Sequence, residues 1–409
     1  MRGARKQFQQ HNKGETTMRL VSRRTGWRAS LSAIVMSSSV LAATIVAGTA
    51  VTSGAAGVDS PPKCTTYTNI NMGTTPYQDS LIMAVGQQFG WYKDACLNVT
   101  FTNTAWENAM STLASGSVNV SWYNTTGVVS TYHIDPKLVY VYPWDIFDQG
   151  AAMMARPSLH LKTYDQLVAS GVSKKAAVAQ VIKELKGKQV IVSVGGDTGA
   201  DLDTFLRRNA KPASWVHVIN LGQNPGLAAF LRGTGDVYIG GIPQRETLVK
   251  AHYSTLIEGS AVTPAPLNGF VTTRAFYDAN KDAFLALMHV TFMEIRYTQT
   301  HRKQVGQFVS KLYSQQTGST LSAADFVAFF QHWEHYPLNA AQAQSMIFSS
   351  DGIGSWKAIW NNDNHYLFNV QHAIPAAVPY SAFLGVQFQK DYIAKYGANE
   401  TGWWKAGTL

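Results

Sequence analysis

The chain has 409 residues, 14% of them charged, two cysteines and a formal net charge of +9. Residues 1–57 hold eight Lys or Arg and one Glu, a local +7, so the rest carries only +2 and has no basic cluster with which to bind nucleic acid. Roughly 350 residues remain beyond that segment, more than one core usually fills, so two lobes are expected.

Arg19, Arg23, Arg24 and Arg28 precede an uncharged run from Ala29 that ends in small residues, the pattern of an export signal over 1–57. Arg23-Arg24 loosely matches a twin-arginine signal, and Sec export fits at least as well. Ser32 to Val51 is long enough to span a bilayer, but its Ser, Thr and Gly content and the Gly48-Thr49-Ala50 end favour cleavage over anchoring. No cysteine follows the apolar run, so no lipid anchor is expected. The mature protein is placed in the periplasm or on the outer face of the cytoplasmic membrane.

Cys64 and Cys96 each lie just before a predicted strand, Tyr67 to Met72 and Asn98 to Asn103. Parallel neighbours would bring both sulfurs to one end of the sheet, and an even pair in an exported protein predicts a disulfide there. Two unpaired buried thiols are the alternative. The first strand ends at Gly73, and the loop TTPYQDS leads to a helix, Leu81 to Phe89, apolar at Leu81, Ile82, Val85 and Phe89 and closed by Gly90. The second strand is followed by TAWEN and a helix to Leu113, the third, VNVSWY, by NTTG and a further helix, and KLVYVYPW is a fourth.

A Lys- and Ala-rich stretch within 157–187 reads as the linker to a second lobe, 188–258, with strands KQVIVSV, WVHVINL and DVYIGG and the loop GGDTGAD. One phrase occurs twice, LASGSVNVSWYN and LRGTGDVYIGGIP: a helix, a glycine, then Asn or Asp and Val opening a strand, which is the βαβ signature in two halves. The Pro-rich TPAPLN, 263–268, reads as the return crossing. Residues 259–409 are expected to complete lobe one (64–156) with C-terminal helices. The predicted fold is α/β, two doubly wound lobes with a ligand cleft between them.

The segments QQFGWYKDACLNVTF, LKGKQVIVSVGGDTGADLDTFLRR and LRGTGDVYIGGIP, in that order, resemble blocks of exported solute-binding proteins of the nitrate, sulfonate, taurine and thiamine-precursor group, which feed ABC importers. The likeness covers roughly residues 67 to 260. It implies a type II periplasmic-binding-protein-like fold, capture of a small molecule and a membrane permease as partner. The chain departs from the group at Asn119, where Asp is usual, at Gly241 and Ile242, where an aromatic often precedes the Pro, and in its longer linker.

The carboxyl ends of the predicted strands name the cleft independently of the resemblance. Candidate ligand-binding residues are Thr75, Tyr77, Trp106, Trp122, Tyr123, Trp144, Gly196, Asp197, Thr198, Gly241 and Gln244. The GGDTGAD loop opens a helix whose free N–H groups suit an anion, although Asp197 or Thr198 as a simple helix cap explains it equally well. Five aromatic side chains at one sheet end would sandwich a ring or enclose an ammonium, whereas core packing is the alternative for each singly. Glu107, Asp145, Asp148 and Asp197 add negative charge to that rim. A sulfonate or other anion, an amine, a zwitterion and a pyrimidine-like molecule all remain open as ligands.

No cofactor, metal or catalysis is expected. His332 and His335 form a His-x-x-His pair without a completing ligand, and neither a nucleophile elbow nor a phosphate-loop lysine occurs. The enzymes related to the thiamine-precursor branch carry a cysteine-rich motif that is missing here. The expected function is an extracytoplasmic solute-binding protein working by lobe closure; a ligand-sensing or interaction protein on the same fold is the alternative.

Overall fold

The computed structural model describes residues 61–149, 152–318, 320–402 and 409. The expected export signal, 1–57, lies outside the described residues. No helix among the described residues is long and apolar enough to cross a membrane.

Two five-stranded sheets carry the fold. The first holds β1 (Thr68–Thr74), β2 (Leu97–Asn103), β3 (Val120–Asn124) and β4 (Leu138–Ile146). The second holds β5 (Ala152–Ala155), β6 (Gln189–Val192), β7 (His217–Asn220), β8 (Val237–Gly240) and β9 (Ser254–Glu258). The chain then returns to the first sheet as β10 (Leu267–Thr273). The orders are β2-β1-β3-β10-β4 and β7-β6-β8-β5-β9. Each lobe is therefore wound alike, with the strand that follows the crossing into it inserted fourth.

That inserted strand is antiparallel to both neighbours in each sheet: β10 to β3 and β4, β5 to β8 and β9. The direction follows from where the chain crosses. Parallel strands deliver it to their carboxyl ends, so a crossing made there enters the other sheet from the cleft and must run away from it. Sequence reading missed β5, β9 and β10; β10 starts directly after Pro266, in the segment expected to be only a return crossing.

The first crossing lies between Ile146 and Ala152, ahead of the linker expected over 157–187. The helices Tyr164–Ala169 and Lys174–Glu184 lie in that segment instead. Their residues Leu167, Ala177, Val181 and Ile182 are buried against sheet two together with Val190 and Val237. An amphipathic helix with that much apolar surface gains more by packing than by spanning a gap.

Sheet two shows the period-two alternation of a sheet covered on both faces. Met153, Val190, Val192 and Ile239 enter one core, whereas Met154, Ile191 and Tyr238 enter the other. In lobe one all nine residues of β4 are buried. The helix Lys281–Thr300 and later helices close that lobe, contributing Phe284, Trp360 and Tyr392 to its core.

Cys64 and Cys96 form a disulfide, with Cα atoms 5.3 Å apart. Cys96 directly precedes β2, so the bridge sits at the amino ends of the strands, away from the cleft. Gly90 closes its helix in the left-handed conformation, φ 77°.

Candidate functional site

Strand ends from both lobes converge on one gap. Tyr77, Gln78 and Asp79 follow β1, Trp106 follows β2, and Trp122 lies near the end of β3. Together with Asn268 they face Asp197, Gln223 and Gly241 of lobe two around a cavity of about 30 Å³. Such a space holds one or two water-sized groups. A second cavity, about 200 Å³, shares Trp106 and Asp197 with the first and adds Glu107, Tyr123, Asn124, Thr126, Ser193 and Gly196.

The local sequence explains this placement. Asn124 ends β3 and caps the next helix, its side chain accepting from the Gly127 N–H at 2.9 Å. Residue 127 must lack a Cβ, because that atom would sit 2.1 Å from the Tyr123 ring. Across the gap, Ser193 donates its N–H to Thr198 Oγ1 at 3.0 Å, which closes the loop opening the helix Asp197–Arg208. Gln223 Oε1 accepts from the Gly241 N–H at 3.1 Å and holds the β8 end in place.

Trp106 is the hub of the aromatic wall. Its ring centroid lies 5.6 Å from Tyr77, 5.7 Å from Trp122 and 4.2 Å from Tyr123. These separations fit tilted and edge-to-face ring packing.

The residues expected from sequence divide into two groups. Tyr77, Trp106, Trp122, Tyr123, Gly196, Asp197 and Gly241 line the two cavities. Trp144 does not: it is fully buried between Phe270 and Tyr336, with centroids 5.9 and 6.4 Å away, because β4 continues past it and is covered on both faces. Thr75 is buried beneath the Ser80 turn, its carbonyl accepting from the Ser80 hydroxyl. Thr198 serves the helix start. Gln244 faces the Tyr77 hydroxyl and donates to Asn224 at 2.9 Å, on the wall of a neighbouring cavity. Asp148, counted with the rim, pairs with His335 at 3.3 Å.

Carboxyl groups dominate the electrostatics. Oxygens of Asp79, Asp145 and Glu334 lie within 4.8 Å of one another, and all three residues are buried. Asn268 donates to Asp145 at 2.7 Å and to Asp79 at 3.3 Å, while Gln78 donates to Glu334 at 2.6 Å. Burial pushes Asp79 up to about 6 against the opposing effect of its hydrogen bonds. Burial and the neighbouring acids hold Asp145 and Glu334 well above the usual carboxylate range.

A second group surrounds the helix start in lobe two. Asp363 accepts from Thr125 at 2.7 Å and Thr126 at 3.0 Å and is pushed up by burial to about 7. Burial also raises Asp197 and, further, Asp201, which feels Asp197 and Asp363 as well. Among the described residues, no Lys, Arg or His lines either cavity.

Gln78, Asp79, Asp201, Glu334 and Asp363 were not foreseen as site residues. Asp79 carried a signal, since it stands one residue before a helix at the end of β1. Glu334 and Asp363 carried none, because they arrive from the C-terminal helices over 200 residues away in sequence.

No protein-family model and no curated protein sequence matches the chain. Solved structures do match its fold. The alkanesulfonate-binding protein of Xanthomonas axonopodis pv. citri, bound to MOPS, is 17% identical with a TM-score of 0.56, over 78% of this chain and 98% of that one. The periplasmic aliphatic sulphonate binding protein of Escherichia coli is 15% identical, TM-score 0.56, over 76% and 94%. The periplasmic nitrate-binding protein of Synechocystis PCC 6803 is 13% identical, TM-score 0.53, over 80% and 86%. The chain thus has the two-lobed fold of periplasmic solute-binding proteins.

Proposed function

We propose that this chain, built on the fold of periplasmic solute-binding proteins, captures a small polar molecule between its lobes and hands it to the membrane permease of an ABC importer. In this reading it is an exported binding protein and not an enzyme, and the closed pair of lobes is what the permease recognises. The neighbours named for sulfonate and nitrate binding support capture of a small solute. The carrying observation is that strand ends of both lobes line one pair of cavities. Helix starts at Asp197 and Ile242 also face that gap, as expected for a ligand site at the switch points of doubly wound sheets.

Closure requires that the lobes part. Among the described elements the chain passes between the lobes twice, after Ile146 and after Glu258, so bending near those points opens the gap without disturbing either sheet. A thermal-shift screen identifies the ligand, since a molecule bound only by the folded state raises the melting temperature. X-ray scattering with that ligand should show the radius of gyration shrink. Binding without shrinkage argues against closure, and the absence of any permease and ATPase gene beside this one favours the sensing alternative.

A further inference from the structure

We propose that the gap takes a small hydrophilic amine: an ammonium head in the inner cavity, against the rings of Tyr77, Trp106 and Trp122 and between Asp79 and Asp197, with an uncharged hydroxylated tail in the outer one. The inference rests on the solute-binding reading above and names its ligand.

Three independent features carry it. The first is charge. The two cavities are lined by Asp79, Glu107 and Asp197, with no cationic side chain among the described lining residues. Asp145 and Glu334 stand behind Asp79, and Asp201 and Asp363 stand near Asp197. The nearby Arg245 is taken up by Glu258 and by the Trp333 ring, 3.9 Å from its guanidinium carbon. An anion at the Asp197–Arg208 helix start would meet the Asp197 carboxylate in the first turn, which cancels the attraction of the free N–H groups.

The second feature is a spare acceptor. Gln78 Oε1 is on a side chain only 3% exposed, and among the described residues it has no hydrogen-bond partner. Gln78 lines the inner cavity. Leaving such an acceptor unmatched is costly, and an ammonium supplies the donor. The third feature is the aromatic wall, whose ring faces attract a desolvated cation. The outer cavity adds Asn124, Thr126, Ser130, Thr131 and Ser193, which suit hydroxyl groups and carry no charge.

Matched probes test the assignment at about pH 8, above the values of about 6 and about 7 to which burial raises Asp79 and Asp363. Ethanolamine and N-methylethanolamine share a hydroxyethyl tail with isethionate, which replaces the cation by a sulfonate, and with neutral ethylene glycol. Thermal shift and calorimetry of the full chain should show binding of an ammonium probe and none of isethionate, nitrate or ethylene glycol. Asp197→Asn and Trp106→Ala, in opposite lobes, should each weaken that binding at least tenfold while the ligand-free melting curve stays cooperative. If Trp106→Ala fails to fold, Trp106→Leu replaces it.

Binding of isethionate or nitrate in place of the ammonium probes overturns the charge assignment and leaves solute capture standing. Stabilisation by calcium or manganese alone overturns it in favour of a metal ion on the carboxyl cluster. Ammonium binding that both variants retain overturns the proposed location. No response to any of these probes also overturns the inference, and only a failure of the wider solute screen, with no change in scattering, removes the parent reading.

Discussion

The Tyr366 hydroxyl donates to the Val194 carbonyl at 3.0 Å, joining the C-terminal helical part to the loop that follows β6 in lobe two. Thr204 and Arg207 meet Asn362 nearby, both at 2.9 Å, and Lys250 reaches Asp325 at 2.7 Å. All four contacts join lobe two to helices that complete lobe one, so they exist only while the lobes are together.

Removing one of these contacts should therefore shift closure more than folding. Tyr366→Phe deletes a hydrogen bond of about 1 kcal/mol, which predicts roughly fivefold weaker ligand binding. The ligand-free radius of gyration should rise, and the melting temperature should change little. A large loss of stability with unchanged affinity would show that the bond serves folding alone.

Stability should fall with pH in a window set by opposing groups. Asp79 and Asp363, raised by burial to about 6 and about 7 from 3.8, hold protons more tightly folded than unfolded. Their contribution is full below the unfolded value and is lost as pH rises through the folded ones. His289, lowered by burial to about 3 from 6.5, acts in the opposite sense and offsets Asp79 until it reaches its unfolded value. One histidine cannot offset two carboxyls, so the decline should begin near the unfolded carboxyl value, about pH 4, and continue to about pH 7, where Asp363 reaches its folded value. Melting curves of the ligand-free protein from about pH 5 to about pH 8 measure it, and Asp363→Asn should flatten the upper part. A melting temperature that climbs steadily across that upper part contradicts the assignment.

Gly269 lies in β10, between β3 and β4, where a Cβ would come within 2.1 Å of the Tyr142 carbonyl oxygen. Backbone in a central strand cannot step aside as a side chain can. Gly269→Ala should cost about 2–3 kcal/mol, in the range of core overpacking, and chemical denaturation reads the loss directly. Gly195→Ala, where a Cβ meets nothing within 4 Å, is the matched control and should be close to neutral.

The Cys64–Cys96 bridge closes a loop of 32 residues that includes all of β1. Replacing both by Ser should destabilise lobe one by about 4 kcal/mol through the freer unfolded chain. Ligand affinity at low temperature should be unchanged, because the bridge lies at the sheet end opposite the cleft. Weakened binding under folded conditions would contradict that separation.

Much of the architecture was legible in the chain itself. Alternating apolar residues such as Val190, Ile191 and Val192 define a strand buried on both faces, and a glycine such as Gly90 stops a helix because only it adopts the left-handed turn cheaply. Both are local properties, fixed by neighbours a few residues apart. Because strand ends follow from those patterns, Tyr77, Trp106, Trp122, Asp197 and Gly241 could be placed at the gap.

Tertiary structure decided the rest, because it depends on groups far apart in sequence. The antiparallel course of β5 and β10 comes from crossing at the cleft, and no residue in either strand encodes that direction. Trp144 lies in the core because β4 runs on to Ile146 between two covering layers. Negative charge at the rim was legible from Glu107 and Asp197, but the buried cluster was not: Asp79, Asp145 and Glu334 meet from three separate stretches of chain, and burial then changes how each holds its proton. A sequence can show that carboxylates exist; only the fold sets the dielectric around them and the distances between them.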